Sequence, residues 1–173
     1  MLPHGTFVLG GAASGKSAWA EKLIEANALS ATYLATGRIL DAEVQARVDR
    51  HIARRDARWH TVEAPLDLGP TLSKLSVTDA VLIDCATMWL SNHMMDGSDL
   101  ATAQEDLLRA LQNCAAPWVI VSNEVGHGIV PDNALARQFR EAQGRLNIAL
   151  AAQADLAVQV TAGLPQILKG KLP

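Results

Sequence analysis

The feature that most constrains this chain is a glycine-rich segment near its start. It follows residues 6–9, a β-prone run, and precedes a helix-forming stretch over residues 16 to about 28. The segment matches the pattern G-x-x-x-x-G-K-[ST] in full: Gly10, Gly11, Ala12, Ala13, Ser14, Gly15, Lys16 and Ser17. A strand, a glycine turn and a helix in this order are the context in which the pattern binds phosphate. An accidental glycine turn is the alternative, which both the context and the complete match disfavour.

Each residue type in this segment has a physical role in holding a polyphosphate. Gly10, Gly11 and Gly15 allow positive φ angles and let backbone N–H groups approach phosphate oxygens closely. The N-terminus of the following helix adds partial positive charge, and Lys16 adds a full charge directed at the β and γ phosphates. The Ser17 hydroxyl is a hard oxygen ligand that suits Mg²⁺. The segment therefore predicts a site for a nucleoside triphosphate.

Short β-prone runs alternate with longer helical patterns along the rest of the chain. The further strands are expected at residues 31–35, 81–83 and 118–121 and where Leu156, Val158 and Val160 alternate with other residues. Helices are expected over residues 41 to about 58, 100 to about 113 and in a long stretch after Asp132. This alternation favours an α/β fold with a mostly parallel central sheet and helices on both faces, of the P-loop NTPase type.

Length, charge and hydropathy narrow the class of protein further. A chain of 173 residues predicts one domain over residues 1–173. The net charge of −3 gives no overall attraction to nucleic acid or to anionic membranes, so neither is expected as a partner. No apolar stretch is long enough to span a bilayer, and we expect the cytoplasm as the compartment.

The two cysteines predict neither a disulfide framework nor a metal site. Cys85 and Cys114 are far apart in the sequence and form no C-x-x-C pair. We therefore expect reduced thiols in the core.

Asp84 ends the apolar run at residues 81–83, a position at which an acidic residue can hold magnesium beside a phosphate loop. An acid at a strand end is also common as a helix cap or turn residue. Asp84 alone does not decide between the two interpretations, and its combination with the phosphate loop favours the metal role.

The expected helix over residues 41–58 carries two neighbouring stripes. The apolar stripe consists of Val44, Val48 and Ile52, and the basic stripe of Arg47, Arg50, Arg54 and Arg58. His51 falls between them. The residues alone favour a partly buried histidine beside a solvated basic face. The alternative is a second polyphosphate site in which His51 is a nucleophile, and the nearby positive charge would favour the neutral imidazole that this role requires.

These segments together resemble a known family, the bifunctional adenosylcobinamide kinase / adenosylcobinamide-phosphate guanylyltransferases of cobalamin biosynthesis. The resemblance covers nearly the whole chain. It is carried by residues 9–17, 33–36, 47–51, 59–63, 123–131 and 133–147. Many proteins have a phosphate loop, whereas the run Asn-Glu-Val-Gly-x-Gly-Ile-Val-Pro at residues 123–131 and the histidine helix are much narrower signals.

The resemblance implies two reactions with ATP and GTP as substrates and Mg²⁺ as cofactor. The first phosphorylates adenosylcobinamide, and the second transfers GMP from GTP to adenosylcobinamide phosphate through a guanylylated His51. Lys16 is the other implied catalytic residue, and Ser17 and Asp84 are the implied metal ligands. Nucleotide contacts are implied for residues 10–17 and for Thr36, Gly37, Arg38, Ile52, Ala53, Arg54, Arg55, Glu63 and Asp84. A homo-oligomer, with a trimer as the favoured form, is also implied.

The sequence departs from the family pattern at two positions. The family commonly has arginine where this chain has Ala13, and the family's acid after the third strand can be glutamate where this chain has Asp84. Glu124 is a candidate acid near the nucleotide, but it could equally orient its own loop. No role is assigned to His60 or His127. The alternatives to the bifunctional enzyme are a monofunctional P-loop small-molecule kinase and a nucleotide-switched binding module.

Overall fold

The computed structural model describes residues 1–28, 30–38 and 56–173. The strands in these residues are β1 (Gly5–Gly10), β2 (Ser30–Ala35), β3 (Trp59–Glu63), β4 (Asp79–Asp84), β5 (Trp118–Asn123), β6 (Leu156–Thr161) and β7 (Leu164–Lys169). The helices are α1 (Lys16–Glu25), α2 (Gly69–Leu72), α3 (Ala86–Met95), α4 (Leu100–Asn113) and α5 (Ala134–Gln153).

The strands form one sheet in the order β3-β2-β4-β5-β1-β6-β7. All neighbouring pairs are parallel except β6 and β7, which are antiparallel. The carboxyl ends of the parallel strands therefore meet at one edge of the sheet. In the register, Gly10 lies opposite Asn123, and Ala35 lies opposite both Glu63 and Asp84. The mostly parallel α/β sheet expected from the sequence is confirmed.

Apolar residues bury both faces of this sheet. On β4, Val81 and Ile83 pack into the cluster that contains residues of α3, α4 and α5, whereas Leu82 packs into the cluster on the α1 side. All three side chains are fully buried. A parallel strand covered on both faces is continuously apolar, which is the pattern that residues 81–83 show.

The helix boundaries expected from hydrophobic periodicity agree best with the structure where the periodic pattern is strongest. Helix α4 begins and ends at Leu100 and Asn113, as expected. Helix α1 ends at Glu25, three residues before the expected end at residue 28. Four elements are not predicted by the sequence patterns: β3, α2, α3 and β7. Helix α3 is buried on several sides and β7 is exposed along its length, so neither shows a one-sided apolar pattern.

The expected helix over residues 41–58 falls mostly on residues 39–55, which lie outside the described residues. Its last residues, 56–58, are described, and here the expectation is wrong: they form a turn before β3. The Asp56 carboxylate accepts the backbone N–H of Arg58 at 3.0 Å, and the Trp59 N–H donates to the Asp56 carbonyl at 3.2 Å. These bonds favour a turn over a further helical turn.

Arg58 does not continue a basic stripe. Its Nη1 donates to the carbonyl of Glu25 at 2.7 Å, and its Nε donates to the Asp56 carboxylate at 2.9 Å. The side chain thus joins the end of α1 to the turn before β3, and its charge is engaged there.

Cys85 and Cys114 are free and buried, as expected. Among the described residues, no helix has the length and apolar character needed to cross a membrane.

Gly5→Ala should destabilise the fold by about 1–3 kcal/mol, the usual cost of overpacking a core. A Cβ at this position would lie 2.4 Å from Cζ2 of Trp118, which is itself fully buried. Urea unfolding followed by tryptophan fluorescence measures the change. Gly144→Ala is the control because its Cβ meets nothing within 4 Å, and alanine in a helix should stabilise α5 by about 0.5–1 kcal/mol. Equal stability of Gly5→Ala and the unsubstituted protein would contradict the close contact.

Candidate nucleotide-binding site

The phosphate loop lies between β1 and α1, as its pattern predicts. Ser14 N–H donates to the Gly11 carbonyl at 3.3 Å, which closes the turn. Ala13 and Gly15 have φ angles of 54° and 90°, so the backbone is left-handed on either side of Ser14. Glycine reaches this conformation without strain, whereas the methyl group of Ala13 adopts it at some cost.

The turn between β6 and β7 contacts the phosphate loop and stabilises it. This contact is not predicted from the sequence. Gly163 N–H donates to the Ser14 carbonyl at 2.8 Å. A Cβ on Gly15 would lie 3.0 Å from Cα of Gly163, so the two backbones are in close contact. Ala162 and Gly163 both have positive φ, which is the geometry of a tight two-residue hairpin turn. A glycine in a short turn after an apolar strand is the signal that predicts such a hairpin.

Lys16 lies across the phosphate loop, with its Nζ 3.0 Å from the Gly11 carbonyl. Its side chain is largely buried, and this burial lowers the pKa of Lys16, while the nearby Cys85 and Asp84 act to raise it. A bound polyphosphate would add negative charge beside the ammonium group and favour its charged form. The loop therefore holds a cation, the Lys16 ammonium group, beside the position that a bound phosphate would occupy.

The hydroxyl of Ser14 is buried and has no hydrogen-bond partner among the described residues. A buried donor without a partner costs free energy, and such groups in native proteins commonly face a ligand or a water molecule. Together with the glycine backbone, this hydroxyl fits a cradle that a phosphate completes.

Asp84 ends β4 at the same edge of the sheet. Its Oδ2 accepts a hydrogen bond from the Tyr33 hydroxyl at 3.0 Å, and the side chain is only partly buried. Asp84 also contributes, after burial, to raising the pKa of the adjacent Cys85 thiol to about 11. Cys85 is therefore a neutral thiol at neutral pH, and its Sγ accepts the Met88 N–H at 3.4 Å as the cap of α3.

Thr36 connects the ends of β2 and β4. Its hydroxyl donates to the Cys85 carbonyl and accepts the Cys85 N–H, both at 2.7 Å, and Thr36 is fully buried. The Thr36 carbonyl in turn accepts Nδ2 of Asn92 at 2.7 Å. The Thr36 side chain is thus occupied in holding the backbone next to Asp84.

Arg38 forms a two-point ion pair with Asp96 just after α3. The distances are 2.8 Å from Nη1 to Oδ1 and 2.5 Å from Nη2 to Oδ2. This hydrogen bonding holds the pKa of Asp96 below its usual value. The Arg38 guanidinium is therefore paired with the Asp96 carboxylate.

Glu63 ends β3, at the far edge of the sheet from the phosphate loop. The order β3-β2-β4-β5-β1 places its strand four positions from β1, which at about 4.8 Å per strand is about 19 Å. Asp84 on β4 is two positions away. The structure thus brings the phosphate loop, Lys16, Ser17 and Asp84 to one region of the carboxyl edge and leaves Glu63 farther along it. His51, Ile52, Ala53, Arg54 and Arg55 lie outside the described residues, as do Arg47 and Arg50.

A buried polar cluster, consisting of Thr87, Ser122, Gln143 and Asn147, lies beneath the end of β5. Ser122 Oγ donates to Oδ1 of Asn147 at 2.6 Å, and Nε2 of Gln143 donates to Ser122 Oγ at 3.0 Å. This cluster is not predicted from the sequence. The pattern that could have indicated it is a pair of amides, Gln143 and Asn147, four residues apart on the buried side of α5 beside Leu146 and Leu150.

Comparison with known proteins identifies the family. Residues 6–168 match the model of the family described as cobinamide kinase / cobinamide phosphate guanyltransferase. The chain belongs to this family. It is accordingly a bifunctional transferase of cobalamin biosynthesis, a kinase and a guanylyltransferase.

Relatives in this cobinamide kinase / guanyltransferase family match over almost their full length. The bifunctional adenosylcobalamin biosynthesis protein CobP of Pseudomonas aeruginosa is 40% identical, with 95% of this chain and 96% of the relative covered. The protein CobU of Salmonella typhimurium is also 40% identical, with 91% and 95% covered. That of Escherichia coli is 38% identical, again with 91% and 95% covered.

Distant solved structures share the fold of this cobinamide kinase / guanyltransferase. An ATPase from the type III secretion system of pathogenic bacteria superimposes with a TM-score of 0.57 at 9% identity, over 96% of this chain and 57% of that one. A protein from Pyrococcus horikoshii OT3 gives the same TM-score at 8% identity, over 98% and 87%. These likenesses show that the chain shares its overall α/β fold with both proteins.

Gly10→Ala in this cobinamide kinase / guanyltransferase should weaken binding of a nucleoside triphosphate and destabilise the fold by about 1–3 kcal/mol. Its methyl group would lie 2.4 Å from Ser14 Oγ and 2.7 Å from the Val160 carbonyl, so the loop must shift. Calorimetric titration and urea unfolding measure the two effects.

Gly11→Ala is the matched control, because a Cβ there meets nothing within 4 Å. Its free energy of unfolding should stay within about 0.5 kcal/mol of the unsubstituted protein, as for most exposed substitutions. Equal loss of stability in both variants would contradict the close packing assigned to Gly10.

Proposed function

We propose that this chain phosphorylates the aminopropanol hydroxyl of adenosylcobinamide with a nucleoside triphosphate, and then transfers GMP from GTP to the new phosphate through a covalent His51 intermediate. The observation that carries the proposal is the complete phosphate loop between β1 and α1 in a chain that is 40% identical to bifunctional relatives. The product of the two steps is adenosylcobinamide-GDP, and pyrophosphate leaves in the second.

The phosphate loop binds and orients the triphosphate in both steps. Backbone N–H groups at the start of α1 and the Ser14 hydroxyl offer donors to phosphate oxygens, and Lys16 neutralises charge that builds up on the transferred and leaving groups. Phosphoryl transfer depends mostly on such positioning and electrostatic stabilisation. The Gly163 N–H bond to the Ser14 carbonyl holds the loop in shape.

The donor set around the loop fits Mg²⁺. Ser17 offers a hydroxyl oxygen and Asp84 a carboxylate, and hard oxygen donors of this kind suit the ion. The described residues include no cluster of three or more acidic, histidine or cysteine side chains that could form a full cage. Mg²⁺ commonly takes only one or two protein ligands and completes its shell with water and substrate phosphates, for which it supplies charge neutralisation. The Tyr33 hydroxyl donates to Oδ2 of Asp84 at 3.0 Å, which holds the orientation of this carboxylate.

In the second reaction a neutral His51 imidazole nitrogen attacks the α phosphorus of GTP. The N–P bond forms as the bond from the α phosphorus to the bridging oxygen breaks, and the electron pair leaves with pyrophosphate. The phosphate of adenosylcobinamide phosphate then attacks the same phosphorus, and the imidazole leaves. The arginines at positions 47, 50 and 54 would neutralise the polyphosphate during this step.

His51→Asn should abolish a covalent guanylyl adduct. When the protein is incubated with α-labelled GTP and Mg²⁺ and denatured in alkali, the unsubstituted chain should retain an acid-labile, alkali-stable label, as a phosphorus–nitrogen bond would. Autoradiography after gel electrophoresis measures it.

His60→Asn is the matched control, because His60 is an exposed residue of β3 and should keep the full label. A label that survives in His51→Asn would contradict the assignment of the nucleophile. An unsubstituted protein that phosphorylates adenosylcobinamide but never acquires the label would be a monofunctional kinase. Nucleotide binding with slow hydrolysis and no response to cobinamide would indicate a switched binding module.

We infer that the protein is a homo-oligomer that associates through β7. This strand is the last in the sheet order, so one of its edges faces no strand among the described residues. Leu164, Ile167 and Leu168 on it are 72%, 45% and 52% exposed, and Ile148 on α5 is 73% exposed. An exposed edge strand with apolar side chains is a template for pairing with another chain. A trimer is the form that the family resemblance favours.

The double substitution Leu164→Lys with Ile167→Lys should shift the protein toward monomer, because charges along an edge strand oppose pairing. Sedimentation velocity measures the mass of the particle. Val77→Lys is the control, since Val77 is 75% exposed in the turn before β4. Unchanged oligomers in the double variant, or an unsubstituted protein that is monomeric, would contradict the inference.

A further inference from the structure

Glu124 is the acidic residue that follows β5, the strand between the phosphate-loop strand β1 and the Asp84 strand β4. Its backbone N–H donates to the Gly10 carbonyl at 3.0 Å. Gly10 begins the phosphate loop, so Glu124 lies one strand spacing, about 4.8 Å, from the start of that loop.

The Glu124 carboxylate has one fixed oxygen and one open oxygen. Oε1 accepts the Gly126 N–H at 2.5 Å, which sets the orientation of the group. Oε2 accepts no hydrogen bond from the described residues, and the side chain is only partly buried. A carboxylate that is held by one oxygen and open at the other can accept a proton from a group that approaches from solvent.

The backbone on both sides of Glu124 is held by side chains from two helices. The Thr87 hydroxyl of α3 accepts the Asn123 N–H at 2.8 Å, and Nδ2 of Asn147 on α5 donates to the Asn123 carbonyl at 3.3 Å. After Glu124, the guanidinium of Arg140 donates to the Gly126 carbonyl. The buried polar cluster beneath β5 thus fixes the base of the loop, as precise placement of a catalytic group requires.

Other carboxylates at this edge of the sheet are less suited to accept a proton beside the transferred phosphate. Asp84 is two strand positions from β1, lies near the Lys16 charge and already accepts the Tyr33 hydroxyl. Glu63 is four positions away. Of these three acids, Glu124 is the one that follows a strand paired directly with β1.

We propose that Glu124 is the catalytic base of the kinase step, an assignment that rests on the proposed function. The acceptor oxygen of adenosylcobinamide forms a bond to the γ phosphorus while the bond from that phosphorus to the β–γ bridging oxygen breaks. The hydroxyl proton moves to Oε2 of Glu124, and the electron pair of the broken bond leaves with the nucleoside diphosphate. Glu124 then releases the proton to water.

The two reactions differ in their need for such a base. The acceptor in the kinase step is an alcohol, which holds its proton at neutral pH. The acceptor in the guanylyl transfer is a phosphate, which is already ionised near neutral pH. A base for the first acceptor is therefore not needed for the second, and the two activities of one protein provide an internal comparison.

Glu124→Gln tests this assignment, because the amide oxygen can still accept the Gly126 N–H while the group no longer takes up a proton. The kinase kcat should fall about 10²- to 10⁴-fold, the usual effect of losing a general base. Guanylyl transfer from GTP to supplied adenosylcobinamide phosphate should stay within about three-fold of the unsubstituted rate. Glu141→Gln, at an exposed carboxylate of α5 paired with Arg145, should leave both rates unchanged.

A kinase rate in Glu124→Gln within about five-fold of the unsubstituted rate would overturn the assignment. So would an equal fall in both activities, since that would mark Glu124 as a residue that only organises the loop. If the unsubstituted protein has no kinase activity, the proposed function is wrong, and the assignment of Glu124 as its base is wrong as well.

Glu124→Asp keeps a carboxylate on a shorter side chain. It tests the assignment of the base if the melting temperature of Glu124→Gln is well below that of the unsubstituted protein. Because this variant still carries a proton acceptor, its kinase rate should lie clearly above that of Glu124→Gln, while guanylyl transfer stays within about three-fold of the unsubstituted rate. A kinase rate in Glu124→Asp no higher than in Glu124→Gln would overturn the assignment.

Discussion

The Lys16 residue is largely buried at the carboxyl edge of the sheet, and a charge that is removed from water must be compensated by its surroundings. The Gly11 carbonyl and the nearby Asp84 provide part of this compensation. In the proposed function a polyphosphate provides the rest, and the Ser14 hydroxyl, which has no hydrogen-bond partner among the described residues, offers it a donor. The loop is thus suited to bind an anion. The side chains that follow the neighbouring strands lie beside it in the order of the strands in the sheet.

The sheet order also explains how a small chain can carry two group transfers. The triphosphate has one cradle, and the side chains that follow neighbouring strands are spaced at about 4.8 Å intervals along one edge. In the proposed function, groups near β1 act on the terminal phosphate, and groups farther along the edge lie where the rest of the nucleotide would extend. Lys16 is the one cationic residue among residues 10–17, so the charge neutralisation proposed for this loop depends on it.

The sequence predicted the parts of the fold and site that local patterns determine. The motif at residues 10–17 predicted a strand, a turn and a helix, and the period of α4 predicted both of its ends. Helix α3 was missed because its buried residues, Trp89 and Asn92 among them, occupy more than one side. The engagement of Thr36 by Cys85 and of Arg38 by Asp96 was also missed, because these partners are about fifty or more residues apart in the sequence. Only the pairing of β2 with β4 brings the first pair together.

The hairpin tip at Ala162 and Gly163 has a consequence for how the chain tolerates change. Tips of hairpins at the rim of a sheet are ordinarily where proteins accept extra residues, tags or domain fusions. Here the tip forms one wall of the nucleotide cradle through the Gly163 contact with Ser14 and Gly15. The length of this connection is therefore fixed by the cradle, and a segment inserted at this tip would disturb the catalytic centre although it lies at the periphery of the fold.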